Sequence, residues 1–178
     1  MKYDWPPAAP ALRPAFDAWR RGQHAATLTA MDMFCRTHPA DPDGWRGKGS
    51  VLWTLGRFDD ALSAFQTALG LDPWSPVHWS TVGLALRDLG LLDRARATFR
   101  VATRLDDSYA PAWNEWGNVL VDAGHPRVTL ARYDRAIALD HSRAVYRHNR
   151  SVARRMLGDI PGATADFRQA LALDPRYE

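Results

Sequence analysis

A lysine set between glycines just ahead of a serine can grip a nucleotide phosphate, and this sequence contains such a stretch, GWRGKGS, at residues 44–50. A phosphate loop needs glycine-supplied backbone N–H groups between a strand and a helix, a glycine five residues before the lysine, and a Ser or Thr directly after it. Here Asp43 holds the glycine position, Gly49 follows Lys48, and the preceding RTHPADPD has no strand pattern. The stretch is not a phosphate loop. The histidines at 24, 38, 78, 125, 141 and 148 show no metal-ligand spacing, and no Ser, His and Asp fall into a nucleophile set. Cys35 is the single cysteine, which excludes an internal disulfide or a cysteine-rich metal site and leaves a small buried apolar residue as its role. The expectation is a chain with no catalytic residue, metal or cofactor.

The bulk composition agrees with a folded binding protein. At 46% hydrophobic and 24% charged, the 178 residues resemble an ordinary globular chain. No apolar run approaches the roughly 18 residues of a membrane span, and the start MKYDWPPAAP lacks the apolar core of a secretory signal, so a cytoplasmic location without a membrane partner is expected. The net charge of +3 is too mild for nucleic acid, which needs a concentrated basic face. Residues 144–177 do carry an arginine excess, and Arg147, Arg150, Arg154 and Arg155 within it are expected to form a solvated helix face.

The elements that must position any functional residue follow from a period. Gly22, Gly56, Gly90, Gly124 and Gly158 lie 34 residues apart without insertion or deletion. Trp45, Trp79 and Trp113 share the spacing, as do Gly49, Gly83 and Gly117, and Phe65, Phe99, Tyr133 and Phe167. Inside one period, Trp45, Gly49 and Leu52 step by four and three, as do Ala61, Phe65 and Ala68, so each set lies on one face of its own helix. Two helices per period follow. Gly56 ends the first in a left-handed conformation, and Asp59, Asp93, Pro126 and Pro161 open the second in their copies. Pro73 and Pro175, after Leu71 and Leu173, close it. Gly49 then sits within a helix, where its missing side chain admits the partner helix.

These residues resemble the tetratricopeptide repeat family, whose 34-residue unit carries a Trp, a Leu-Gly pair, an aromatic, an Ala, a Phe and a closing Pro. The resemblance implies an all-α fold, an α-solenoid of five tandem 34-residue helix-turn-helix repeats coiled into a right-handed superhelix. The units are residues 8–41 (degenerate, with Pro14 shortening its first helix), 42–75, 76–109, 110–143 and 144–177, forming a single array after an extended segment at residues 1–7. Trp45, Trp79 and Trp113, which recur with the period, are expected to pack the core.

The family further implies a concave groove, lined by first helices, that holds an extended peptide or a helix of a partner protein. Its pattern places Trp19 in the groove from the first copy, Arg46, Ser50 and Trp53 from the second, and Ser80, Leu84 and Arg87 from the third. Asn114, Asn118 and Val121 come from the fourth, and His148, Asn149, Val152 and Arg155 from the fifth. Amides can bridge to both N–H and C=O groups of an extended backbone. Asn118 and Asn149 match the asparagines with which chaperone-binding members hold a terminal carboxylate, but Asn114 stands where their lysine belongs, so the complete clamp is not met. Because the sequence stops after the fifth copy, Phe167, Ala170, Leu171 and Leu173 are expected to need cover from a second copy of the chain, as a homodimer, or from a partner. The expected function is a non-catalytic protein–protein interaction module and scaffold, with self-assembly as the alternative.

Overall fold

The computed structural model describes residues 12–177. Among them the chain forms ten α-helices and no strand: α1 (Arg13–Arg20), α2 (His24–Thr37), α3 (Pro42–Thr54), α4 (Phe58–Leu71), α5 (Pro76–Asp88), α6 (Leu92–Leu105), α7 (Ala110–Asp122), α8 (Pro126–Leu139), α9 (Ala144–Met156) and α10 (Ile160–Leu173). A short 3-10 turn, Pro175–Tyr177, follows. None of the helices is long and apolar enough to cross a membrane. The expected segment at residues 1–7 lies outside the described residues.

The turn inside each helix pair is dictated by glycine. Gly22, Gly56, Gly90, Gly124 and Gly158 have φ between 70° and 80°, a conformation costly for any residue with a Cβ. At Gly56 the N–H reaches the carbonyl of Trp53 at 3.0 Å and Arg57 N–H reaches Leu52 at 3.0 Å, closing two orphan carbonyls of α3 at once. The same pair of bonds recurs at Gly124 and His125, on Val121 and Leu120. Helix starts differ from expectation in one respect. Asp59 and Asp93 lie in the first turns of α4 and α6, where they face the positive helix end, but neither second helix has a side-chain cap. True caps come from Asp41 to Gly44 N–H at 3.0 Å and Asp159 to Gly162 N–H at 2.9 Å.

The chain divides into two compact units, one up to Ala85 and one from Leu86. In the first, α1 packs on α2, α2 on α3 and α3 on α4. Leu12, Ala15, Met31, Phe34 and Val51 form a core joined by Trp19 and Leu28. A Cβ on Gly49 would meet Phe65 Cδ1 at 2.5 Å, so the absent side chain is what lets α4 lie against α3. In the second unit, α6 through α10 pack each on the next, around Ala110, Ala136 and Tyr146.

The periodic tryptophans depart from pure core packing. Trp45, Trp79 and Trp113 are half-buried, and each indole N–H donates to a carbonyl six residues back, on Pro39, Pro73 and Asp107, at 2.8–2.9 Å. An indole has one donor and an amphipathic body, so it can pack its ring and tether the preceding turn at once.

Candidate functional site

In the second unit, the expected amide groove residues are joined in one hydrogen-bonded chain. Tyr133 on α8, 1% exposed, donates its hydroxyl to Asn118 Oδ1 at 2.8 Å. Asn118 Nδ2 donates to Glu115 Oε2 and Asn114 Nδ2 to Glu115 Oε1, both at 3.0 Å. Asn149 on α9 donates to Asn114 Oδ1 at 3.0 Å. Arg87 at the end of α5 meets Glu115 at 3.4 Å and Asp122 at 2.5 Å. The carboxylate of Glu115 thus occupies the centre of two amides and a guanidinium within its own chain. Burial pushes its carboxyl above the usual glutamate value, against the pull of Asn118, Arg87 and Asn114. Burial likewise raises the Tyr133 phenol.

This alters what the amides can offer. Asn114 is 2% exposed and its oxygen and one N–H are committed, so it supports the surface rather than presenting itself. Asn118 is tied to Tyr133, and its loss would leave a buried hydroxyl without an acceptor. Asn149 is half-buried, and its Oδ1 accepts from no described residue. Val121 is half-buried at the end of the same helix as Asn118.

The last helix pair supplies a second part. His148, Val152 and Arg155 on α9, with Ile160, Thr164 and Phe167 on α10, line a cleft of about 240 Å³. His148 lies 4.8 Å from the Tyr177 ring and 6.1 Å from Phe167. Burial lowers its pKa, and the charge of Arg155 lowers it further, both favouring the neutral imidazole. Phe167 and Leu173 are 36% and 44% exposed, and Leu171 is half-buried. Ala170, expected on the same open face, is instead fully buried, because a methyl side chain does not reach past its larger neighbours.

The first unit brings fewer expected residues to the surface. Arg46 is held by Asp43 at 2.8 Å, and Trp53 packs on Phe58 at 4.7 Å between ring centres. Trp19 leans on His24 at 5.0 Å. Leu84 is half-buried. Ser50 and Ser80 are 1% and 5% exposed, and Ser50 gives its hydroxyl to the Arg46 carbonyl at 3.0 Å. Two serines expected to line a groove therefore face the interior, where their short side chains fit.

The arginine-rich end is not a solvated face. Arg150 donates to Asp166 through Nε at 2.7 Å and to Asp134 through Nη1 at 2.6 Å, and Arg154 meets Asp166 at 3.0 Å. Asp166 is 2% exposed. Arg147 donates to Gln169. Of the four, Arg155 alone is exposed with no ion pair among the described residues. The carboxylate that organises the cluster was not foreseen. A signal existed, since Asp166 falls where the second and third copies have buried Ala64 and Thr98, so its side chain had to point inward.

The sequence profile of the tetratricopeptide repeat matches residues 4–76, 48–110 and 114–178, nearly the whole length. The chain belongs to the tetratricopeptide repeat family. Tetratricopeptide repeats build protein-interaction modules, and this chain carries the family's all-α solenoid of helix pairs. It is 46% identical over 54 residues to an FK506-binding protein-like protein of Mus musculus, a match covering 29% of this chain and only 15% of the mouse protein. Among solved structures it is similar to TTC0263, a thermophilic tetratricopeptide repeat protein of Thermus thermophilus, with a TM-score of 0.78 at 22% identity, covering 94% of this chain and 95% of that one. It is also similar to YrrB, a tetratricopeptide repeat protein with an unusual peptide-binding site, with a TM-score of 0.67 at 18% identity, covering 94% and 87%. At such identities the likeness concerns the fold.

Proposed function

We propose that this protein is a non-catalytic interaction module, one continuous five-repeat array, that holds a segment of a partner protein against the first helices of its repeats. The observation that carries this reading is the chain from Tyr133 through Asn118, Glu115 and Asn114 to Asn149. It fixes polar groups on α7 and α9 before any ligand arrives, so a bound segment need not bear the entropic cost of ordering them. Val121, Val152 and Arg155 flank those groups with apolar surface and one uncommitted cation. The peptide-binding site of YrrB, on the same fold, supports the reading.

The variants that test it must spare the internal network. Arg155→Glu alters an exposed side chain and Val152→Asp the half-buried wall of the cleft, and neither touches the network, whereas Asn118→Ala would remove the acceptor of the Tyr133 hydroxyl. A peptide selected from a random displayed library against the whole chain should lose affinity by about tenfold or more in either variant, equivalent to about 1.4 kcal/mol, with the melting temperature unchanged in Arg155→Glu, whose side chain is exposed. Equal binding by both variants would remove the proposed surface.

A second reading, self-association, is favoured by the exposed apolar side chains of the last pair, Met156 at 54%, Ile160 at 55%, Phe167 and Leu173. In a light-scattering dilution series the chain should then pass from dimer to monomer, and Leu173→Glu, outside the cleft that holds Val152 and Arg155, should hold it monomeric while leaving peptide capture intact. A wild-type chain monomeric at every concentration eliminates this reading.

A further inference from the structure

Asn114 and Asn118 are each two residues from Trp116, about 200° of helical rotation. Trp116 therefore occupies the opposite side of α7 from the amide network, and a separate cleft of about 400 Å³ opens there within the second unit. Arg96 and Arg100 on α6, Trp116 and Leu120 on α7, and Val128 and Arg132 on α8 form its wall. Asp93 is the one carboxylate present and is paired with Arg96 at 3.1 Å, which leaves the cleft a net charge of +2. Arg132 lies over the Trp116 ring, 4.3 Å from its centre. Neither Arg100 nor Arg132 has a carboxylate partner among the described residues, whereas the half-buried Arg87, Arg150 and Arg154 all do. Trp116 Nε1 and Arg132 Nε are buried without a hydrogen-bond acceptor.

The repeat itself shows what is missing. One period on, the residues equivalent to Arg100, Trp116 and Arg132 are Asp134, Arg150 and Asp166. There the two flanking carboxylates converge on the central guanidinium at 2.6 and 2.7 Å, and with Arg154 also on Asp166 the charge is balanced inside the chain. In the preceding copy the signs are reversed: two guanidiniums flank an aromatic ring, and nothing anionic lies between them. We infer that the Arg100–Trp116–Arg132 cleft is a docking site for a phosphorylated side chain of a partner protein, the phosphoryl group lying in the cleft beside the Trp116 ring, where both guanidiniums can answer its charge.

Charge and shape select this occupant. A phosphate monoester carries close to two negative charges and three acceptor oxygens, matching two guanidiniums without a carboxylate partner and the Trp116 N–H that lacks an acceptor; a single carboxylate leaves one guanidinium unanswered. Leu120 and the 55% exposed Val128 provide apolar surface for the residue bearing the phosphate. The Trp116 face is already covered by Arg132, which disfavours the base stacking a single-stranded nucleic acid needs.

The Trp116 indole N–H resonance of the whole chain, assigned by its disappearance in Trp116→Phe, reports occupancy directly. A short phosphoserine peptide with apolar neighbours should shift it saturably, while the unphosphorylated peptide leaves it in place. Arg100→Glu and Arg132→Gln should each weaken binding by about tenfold or more, as expected when a charge-assisted hydrogen bond is lost. Affinity should also fall as pH drops below about 6, where the phosphate monoester takes up a proton. An unmoved resonance overturns the inference, as does wild-type affinity in both folded arginine variants. Inorganic phosphate binding as tightly as the phosphopeptide would mean a free-anion site instead, and tighter binding of a short single-stranded oligonucleotide would mean a nucleic-acid site; either result also overturns it.

Discussion

Asp166→Ala should lower the stability of the chain by about 3–5 kcal/mol, the cost of stranding buried charges whose partner has been removed. The side chain of Asp166 is 3% exposed, and that of Arg150 is 14% exposed. Arg150 approaches Asp166 through two of its nitrogens and Arg154 adds a third bond at 3.0 Å, so one carboxylate bridges two guanidiniums that belong to α9. Without it, Arg150 keeps Asp134 and Arg154 keeps a looser contact with Asp159 at 3.7 Å. Those contacts offset part of the loss, which places the expectation nearer the lower end of that range. The double replacement Asp166→Leu with Arg150→Met removes both charges with similar volume and should recover part of the deficit, because a buried ion pair costs nearly as much to desolvate as it returns, while Arg154 still lacks Asp166. Urea denaturation of the three proteins measures the difference. A single variant within about 0.5 kcal/mol of the parent, the range of an ordinary surface substitution, would show that the cluster does not organise this end of the chain.

The helices and their turns were legible because each is specified by residues close in sequence. A glycine at the end of every first helix needs only its own φ and two local hydrogen bonds, and its 34-residue recurrence is visible without any knowledge of packing. Gly49 was legible for a similar reason: a residue without a side chain on the apolar face of a helix implies a close neighbour, and Phe65 is that neighbour. The polar contacts were not legible to the same degree. Arg150 finds Asp134 and Asp166, each sixteen residues away on a different helix, and composition alone makes the same arginines look like a solvated stripe. The amides illustrate a subtler limit. Residue types identified Asn114, Asn118 and Asn149 as hydrogen-bonding groups on first helices, but whether they point to a ligand or to each other depends on Glu115, whose carboxylate takes two of them. Comparing equivalent positions across copies would have narrowed the gap, since a charge at a position elsewhere filled by Ala64 and Thr98 must be answered by another charge or by a ligand.

The same coupling between packing and polar network makes Gly117→Ala informative. On helix propensity alone alanine should gain about 1 kcal/mol over glycine. Packing opposes it, for a Cβ at residue 117 would come within 2.5 Å of Tyr133 Cε1 and within 2.9 Å of two further ring atoms. Overpacking of this kind costs about 1–3 kcal/mol when the neighbour can shift and more when it cannot. Tyr133 is poorly placed to shift, being 1% exposed and tethered by its hydroxyl to Asn118 at 2.8 Å, while Thr129 bonds the Gly117 carbonyl itself at 2.6 Å. The clash should win, with a net loss of about 2 kcal/mol by chemical denaturation. Gly70→Ala is the matched control: it lies in α4 with nothing within 4 Å of the new Cβ, so only the propensity gain should appear there. Because any displacement of Tyr133 pulls on Asn118, and through it on Glu115, the Gly117 variant should also bind the selected peptide more weakly at temperatures where it remains fully folded. Repeating the substitution in a Tyr133→Phe background cuts the tether. The ring can then yield without moving Asn118, so the peptide defect should shrink while part of the stability defect stays. If the defect in binding persists unchanged without the hydroxyl, Tyr133 and Asn118 do not couple the core to the surface of α7.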